Sequence, residues 1–214
     1  MAVETHPEDF VAESAVEKKP IPAYLIKETI DGVNYYYKGF REVLNKTKTK
    51  ADIMVDSGLQ LFIKSWLMSL LFKNLDENRY YILGGEAGAH IDHRNNLSLD
   101  LTVFDNTVLT PDKITTKYID VPPKIVIEID VNVEVEMANE NNTFDGFLLK
   151  KVKKLHQFGT EKIIWIFTKS KTVIVSTVNQ KWDFLDWDNE VEIMDGISFN
   201  IAAYLQEKGI DVGE

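Results

Sequence analysis

The chain has no cysteine among its 214 residues, which excludes disulfides, thiol nucleophiles, thiolate zinc sites and redox switching. Any chemistry must run on oxygen and nitrogen. Long apolar runs are missing too: the longest stretch free of Asp, Glu, Lys and Arg extends from Gly196 to Gln206, well short of the roughly 20 residues that a membrane-spanning helix needs. A soluble chain with no membrane partner is expected. Met1 to Phe10 place acids and a proline where a secretory signal carries basic and then apolar residues, so a cytoplasmic location is expected. Positive charge is in the minority, 24 Lys and Arg against 34 Asp and Glu, for a net charge of −10. Such a field repels nucleic acid except where basic groups cluster locally. A general DNA-coating role is thereby excluded. An enzyme that touches DNA through one basic strip beside a cation-loaded acidic pocket is not.

Residues 1 to 22 read as a poorly ordered leader, acidic and closed by Pro20-Ile21-Pro22, and residues 23 to 214 as one domain. Two β-prone runs flank Asp31-Gly32, the signature of a hairpin. Asp56 or Ser57 can cap a helix whose apolar residues, from Leu59 to Leu71, recur at three and four. Strands are expected at about Tyr80 to Leu83, Glu86 to Asp92, Leu97 to Phe104 and Lys124 to Val131. A helix should follow over Phe144 to Phe158, stopped at Gly159. A second hairpin is expected from Ile163 to Val178. The sum is an α/β (α+β) domain with a central sheet flanked by helices.

Side chains alternate faces along a strand, so parity shows which residues share a surface. From Leu97 to Val103 the odd positions are apolar, and Asp100 lies on the other parity. From Ile125 to Val131 the odd positions are branched aliphatics, while Glu128 and Asp130 share the even face. For Asp100 alone, one solvated face of an antiparallel sheet is an equal explanation. Glu128 sits in what reads as a central strand, where an unpaired carboxylate is costly and a divalent cation is the simplest partner. Oxygen-rich sites without cysteine suit Mg²⁺ or Mn²⁺. Glu86 and His90 share a parity on the preceding strand, and an Ile91–Leu97 register would set Gly88 opposite Asp100.

On the second helix, Phe144, Leu148, Val152, Leu155 and Phe158 form one stripe, and Lys151 falls inside it. Such a lysine either snorkels from the edge of the stripe or meets buried acids. Lys150, Lys153 and Lys154 point elsewhere and could contact phosphates, although plain solvation explains them as well. Trp182, Phe184 and Trp187 suit either core packing or a homodimer contact.

An aspartate on one strand, a glutamate 28 residues on and a nearby lysine resemble the PD-(D/E)XK nuclease superfamily with its restriction-endonuclease-like core. A longer pattern resembles the Uma-two family of bacterial endonucleases within it. That pattern runs through Tyr24-Leu25-Ile26-Lys27-Glu28 with Asp31-Gly32, the Ser57 to Leu71 helix, Glu86-Ala87-Gly88 and Leu99-Asp100-Leu101. It continues through Pro122 to Ile129, Phe158-Gly159 and Ile163-Ile164-Trp165-Ile166, and covers about residues 23 to 205. The resemblance implies a metal-dependent endonuclease acting on DNA. Asp100 and Glu128 would hold Mg²⁺ or Mn²⁺, Lys151 would serve as the catalytic lysine, and Asp130 and Glu86 would be further metal or outer acids. Two departures stand out: Leu99 replaces the proline before the first acid, and Asp130-Val131-Asn132 replaces a Leu-Ser-Pro-like continuation. The rival reading is a nucleic-acid-binding or assembly module that keeps the fold without the chemistry. A hydrolase of small phosphorylated substrates ranks last, because Gly84-Gly85 is no phosphate loop.

Overall fold

The computed structural model describes residues 20–134, 143–179 and 181–213. The leader expected at residues 1 to 22 lies almost wholly outside them. The hairpin of β1 (Ile26–Ile30) and β2 (Val33–Tyr37) turns at Asp31 and Gly32, both in the left-handed region, as a two-residue hairpin turn requires. Two short helices follow, α1 (Phe40–Leu44) and α2 (Lys50–Ile53), then the long α3 (Gly58–Asn74). Ser57 starts α3 through a capping box: its hydroxyl accepts from the Gln60 N–H, and the Gln60 side chain accepts from the Ser57 N–H.

Next come β3 (Tyr80–Asp92), β4 (Asn95–Asp105), β5 (Ile125–Ile129), the short β6 (Val133–Glu134) and α4 (Phe144–Phe158). The chain closes with β7 (Lys162–Phe167), β8 (Thr172–Thr177), β9 (Trp182–Asp186), β10 (Val191–Met194), β11 (Ile197–Phe199) and α5 (Ile201–Glu207). The central sheet runs β6-β2-β1-β4-β5-β7-β8-β9, with β3 also on β4, while β10 and β11 form a separate pair. It is mixed: β5 and β7 are parallel, joined through α4, and the other pairs are antiparallel. This is the α+β, restriction-endonuclease-like architecture. Among the described residues no helix is long and apolar enough to cross a membrane.

Each face of the sheet has its own core. On one, Ile63, Leu67 and Leu71 of α3 pack with Leu101, Val103 and the odd residues of β5. On the other, Phe147, Val152 and Leu155 of α4 pack with Leu97, Leu99, Val126 and Trp165. Strand parity therefore fails within β4, since Leu97 and Leu99 belong to one core and Leu101 and Val103 to the other. The change coincides with a bulge in β3, where Gly85 and Glu86 adopt left-handed backbone and the register shifts between Gly84 and Ala87.

The expected register also needs correction. Ala89 pairs with Leu97 and Gly88 with Ser98, because the β3–β4 turn is only His93-Arg94 and not the longer polar turn anticipated. Trp187 is buried in the α3-side core, whereas Phe184 on the edge strand β9 is exposed.

Candidate active site

One edge of β4 is paired with β3 along its length, and the other is shared. β1 meets it at Asn96 through Thr29, and β5 meets it only from Leu101 onward. Between these contacts the strands fork, and side chains take over the hydrogen bonding. The Lys151 ammonium donates to the Ser98 carbonyl at 2.9 Å. The Asp100 carboxylate accepts from the Ile129 N–H at 2.9 Å. The gap in strand pairing thus creates the site.

Lys151 reaches the fork from α4 and is fully enclosed, as are the two glutamates that flank it. Its Nζ lies 2.6 Å from Glu28 Oε1, from β1, and 2.8 Å from Glu128 Oε1, from β5. The first contact is an aligned hydrogen bond. The second is an ion pair, so Oε2 of Glu128 and Oε2 of Glu28 are the carboxylate oxygens left buried without a donor. Phe147 and Trp165 wall the amine, with ring centroids 5.8 and 5.7 Å away, close enough for cation–π attraction.

Burial raises the Glu128 carboxyl to about 8, with the charges of Asp100 and Glu28 adding to the rise and Lys151 opposing it. Burial raises Glu28 as well. For Lys151, burial favours the neutral amine, but the two glutamates outweigh it and the amine is held more firmly protonated than usual. Two carboxylates on one ammonium leave an excess of negative charge, and at neutral pH a proton on Glu128 relieves it.

Asp100 belongs to a second cluster. Its Oδ1 accepts from Lys64 Nζ at 3.0 Å, and the same amine donates to Asp56 at 2.7 Å. Burial disfavours the Lys64 charge, yet the two aspartates reverse this and raise its pKa. Gln60 in the first turn of α3 donates to the Ile129 carbonyl at 2.7 Å, tying the helix start to the end of β5. Asp100 is therefore bound from the α3 side of the sheet and Glu128 from the α4 side. Glu128 and Lys151 meet as their sequence positions suggest, whereas Asp100 is engaged by a different amine.

The remaining candidates stand apart from this contact network. Asp130, in left-handed backbone, accepts from the Thr168 N–H at 2.7 Å and from the Thr168 hydroxyl, closing the ends of β5 and β7. Aspartate tolerates that backbone better than most residues. Glu86 sits in the β3 bulge, 3.7 Å from Lys27. His90 contacts Asn96, and Lys154 pairs with Asp31 at 2.6 Å.

Sequence reasoning passes over Glu28 and Lys64, yet both carry the signal that singled out Lys151. Glu28 shares strand parity with Ile26 and Ile30, and Lys64 shares a helical face with Leu67 and Leu71. Each is a charge on an apolar stripe.

The two donor-free glutamate oxygens are hard ligands of the kind that suits Mg²⁺ or Mn²⁺. Among the described residues no three Asp, Glu or His side chains are gathered so that they could hold a metal ion. Mg²⁺ commonly uses only one or two carboxylates and completes its shell with water and substrate. Both Asp100 oxygens are already engaged, by Lys64 and by the Ile129 N–H, so an ion held by Asp100 and Glu128 would require Asp100 to give up its lysine.

No protein-family profile matches the sequence, and neither does any curated protein. Among solved structures, the chain is similar to one described as a "putative nuclease belonging to DUF820" from Anabaena variabilis. The TM-score is 0.54 at 16% identity, over 71% of this chain and 83% of that one. At that identity the likeness establishes the fold: a mixed sheet with helices on both faces, shared with a protein described as a nuclease.

Proposed function

We propose that the chain is a Mg²⁺- or Mn²⁺-dependent endonuclease that hydrolyses DNA phosphodiester bonds. The observation that carries this reading is the enclosed meeting of Glu28, Glu128 and Lys151 at the strand fork, beside Asp100. Two acids share one fully enclosed amine, and each keeps a buried oxygen without a donor, as a site awaiting more positive charge would.

Asp100 and Glu128 are the residues that would hold the ion. A divalent ion at that point supplies Lewis-acid activation of water and neutralises charge on the scissile phosphate. Lys151 is fixed by Glu28 and the Ser98 carbonyl, so its ammonium is preorganised to stabilise charge that develops on the phosphate oxygens. Phe147 and Trp165 keep water from the amine. With a cation present, Glu128 would release its proton, because a bound ion reverses the local charge balance.

The test is cleavage of single-stranded and supercoiled DNA by purified protein with Mn²⁺, together with its melting temperature as Mn²⁺ is titrated. Cleavage lowered by about a hundredfold in Asp100→Asn and Glu128→Gln, with Mn²⁺ raising the wild-type melting temperature by linkage, is expected. Absence of both cleavage and a Mn²⁺-dependent shift would overturn the proposal. The engagement of Asp100 by Lys64 and Asp56 favours a second reading, a module that binds DNA without the chemistry. Strand binding without any Mn²⁺ response would select it.

A further inference from the structure

Helix α3 contrasts with the rest of the surface. Its 17 residues include no acid, in a chain that has 34. Of its two lysines, Lys64 is buried against Asp56 and Asp100. Ile63, Leu67 and Leu71 face the core. At about 100° per residue, Leu61, Phe72, Ser65, Ser69, Phe62 and Trp66 follow one another around the opposite side. Leu61 is 50% exposed and Phe72 58%, and Lys73 is the only charge on that side of the helix. A helix that is apolar on every side belongs to an interior, and this one has a side left to cover.

The same side forms one wall of a cleft of about 610 Å³, closed by α5 and the end of β11. Ser65 and Ser69 line it with small side chains, which leaves it hollow beside the projecting Phe72. Trp66 lines it with a ring stacked on Tyr204 of α5, the centroids 3.9 Å apart and the planes at 3°. Phe62 stacks on Tyr204 as well, at 5.6 Å. These rings are fixed before any partner arrives, which lowers the ordering cost of binding. The charges lining the cleft balance, Lys73 and Lys208 against Glu190 and Glu207.

A projecting ring and a hollow on one surface suit a two-fold contact, in which each copy supplies both parts. If two α3 helices run antiparallel with Ser65 of each opposite Ser69 of the other, Phe72 of each copy faces Phe62 of the other. The two Lys73 residues then stand about 18 Å apart along the helices, beyond a Debye length of about 8 Å. Two chains of charge −10 can meet on this face because its own charges cancel. The strip is roughly 25 Å long and up to roughly 20 Å wide with α5, so a pair covers about 1,000 Å², at the low end for specific contacts. The edge strand β9 is less open to self-pairing, because Asn189 already bonds both the N–H and the carbonyl of Asp186. We propose that the outer face of α3, with the α3–α5 cleft, is the interface of a weak homodimer of this chain. The proposal is independent of the nuclease reading.

The experiment is sedimentation velocity of the full chain from about 1 µM to several hundred micromolar, the range that suits a contact of this size. A shift from monomer to dimer is expected across it. Phe72→Glu should weaken association by at least about tenfold, as loss of a central aromatic anchor does, with the wild-type melting temperature kept. Ser65→Arg, which fills the hollow from an exposed position, should do the same. Because the chain has no cysteine, Ser69→Cys carries a sole thiol. A short bis-maleimide should link that thiol to a second copy and should not link Ser170→Cys, in the β7–β8 turn. A monomer at every concentration, undiminished association in either folded variant, or equal cross-linking at Ser170 overturns the proposal. DNA cleavage enters none of these readouts, so the nuclease reading stands or falls separately.

Discussion

Lys151 and Lys64 are both amines shared between two carboxylates, and both lie next to the same strand fork, but they differ in access to water. Around Lys151 both carboxylates are sealed along with the amine. Around Lys64 one of the two, Asp56, has a side chain 28% exposed. A triad with an exit to solvent can keep every member ionised, because water stabilises the charge that the lysine does not. A sealed triad cannot, and a proton on Glu128 makes up the difference. Two clusters of nearly the same composition therefore have different duties: one holds a protein segment in place, and the other stores an unmet demand for positive charge.

The largest expected effect is on Lys151. Replacing it with Met leaves two buried glutamates without a counter-charge and should cost about 3–5 kcal/mol in urea unfolding, as removal of one partner from a buried pair does. A cost below about 1 kcal/mol would place the triad in contact with water and break the contrast.

Asp100→Asn should lower Mn²⁺-dependent cleavage by about a hundredfold, the scale of removing one group that stabilises transition-state charge, with the fold intact by circular dichroism. Lys64→Met should destabilise by about 1–3 kcal/mol, less than Lys151→Met. It should also tighten Mn²⁺ binding, since Asp100 then has no competing amine. If Lys64→Met is the more damaging of the two, the assignment of roles is reversed.

The last test is of pH dependence. An unfolded Glu128 titrates near its ordinary 4.5, and the folded one near 8. Between those values the folded chain holds a proton that the unfolded chain has released, so this residue makes stability fall as pH rises through the window. Glu128→Gln removes the titration and should flatten the fall in melting temperature between about pH 5 and 8; Glu28 leaves a residual slope. Identical slopes in the two proteins would mean that Glu128 is ionised throughout.

The elements defined by local pattern were legible in the sequence. The Asp31-Gly32 hairpin, the helix opened by Ser57, the Phe144 to Phe158 helix and the β7–β8 hairpin stand within a residue or a few of their expected bounds. The fork was not legible, because it depends on which strand leaves β4's edge and where, a long-range choice that parity does not encode. Parity also assumes an unbroken strand, and the Gly85-Glu86 bulge violates that beside Asp100. Lys151 was legible as a charge on an apolar stripe. The same test extended to β1 and α3 identifies Glu28 and Lys64, so those two were within reach of the sequence. The Asp100–Lys64 engagement was not, since nothing local relates a strand acid to a helix 36 residues earlier.

Glu128 and Lys151 are delivered by one β5–α4–β7 crossover, whereas Glu28 arrives from 123 residues before the lysine it binds. Closing so long a loop is entropically slow and late. A half-folded chain thus carries a lysine and one acid without the second acid that pins them. Completion of the enclosed triad therefore waits on docking of the amino-terminal hairpin against β4 and α4.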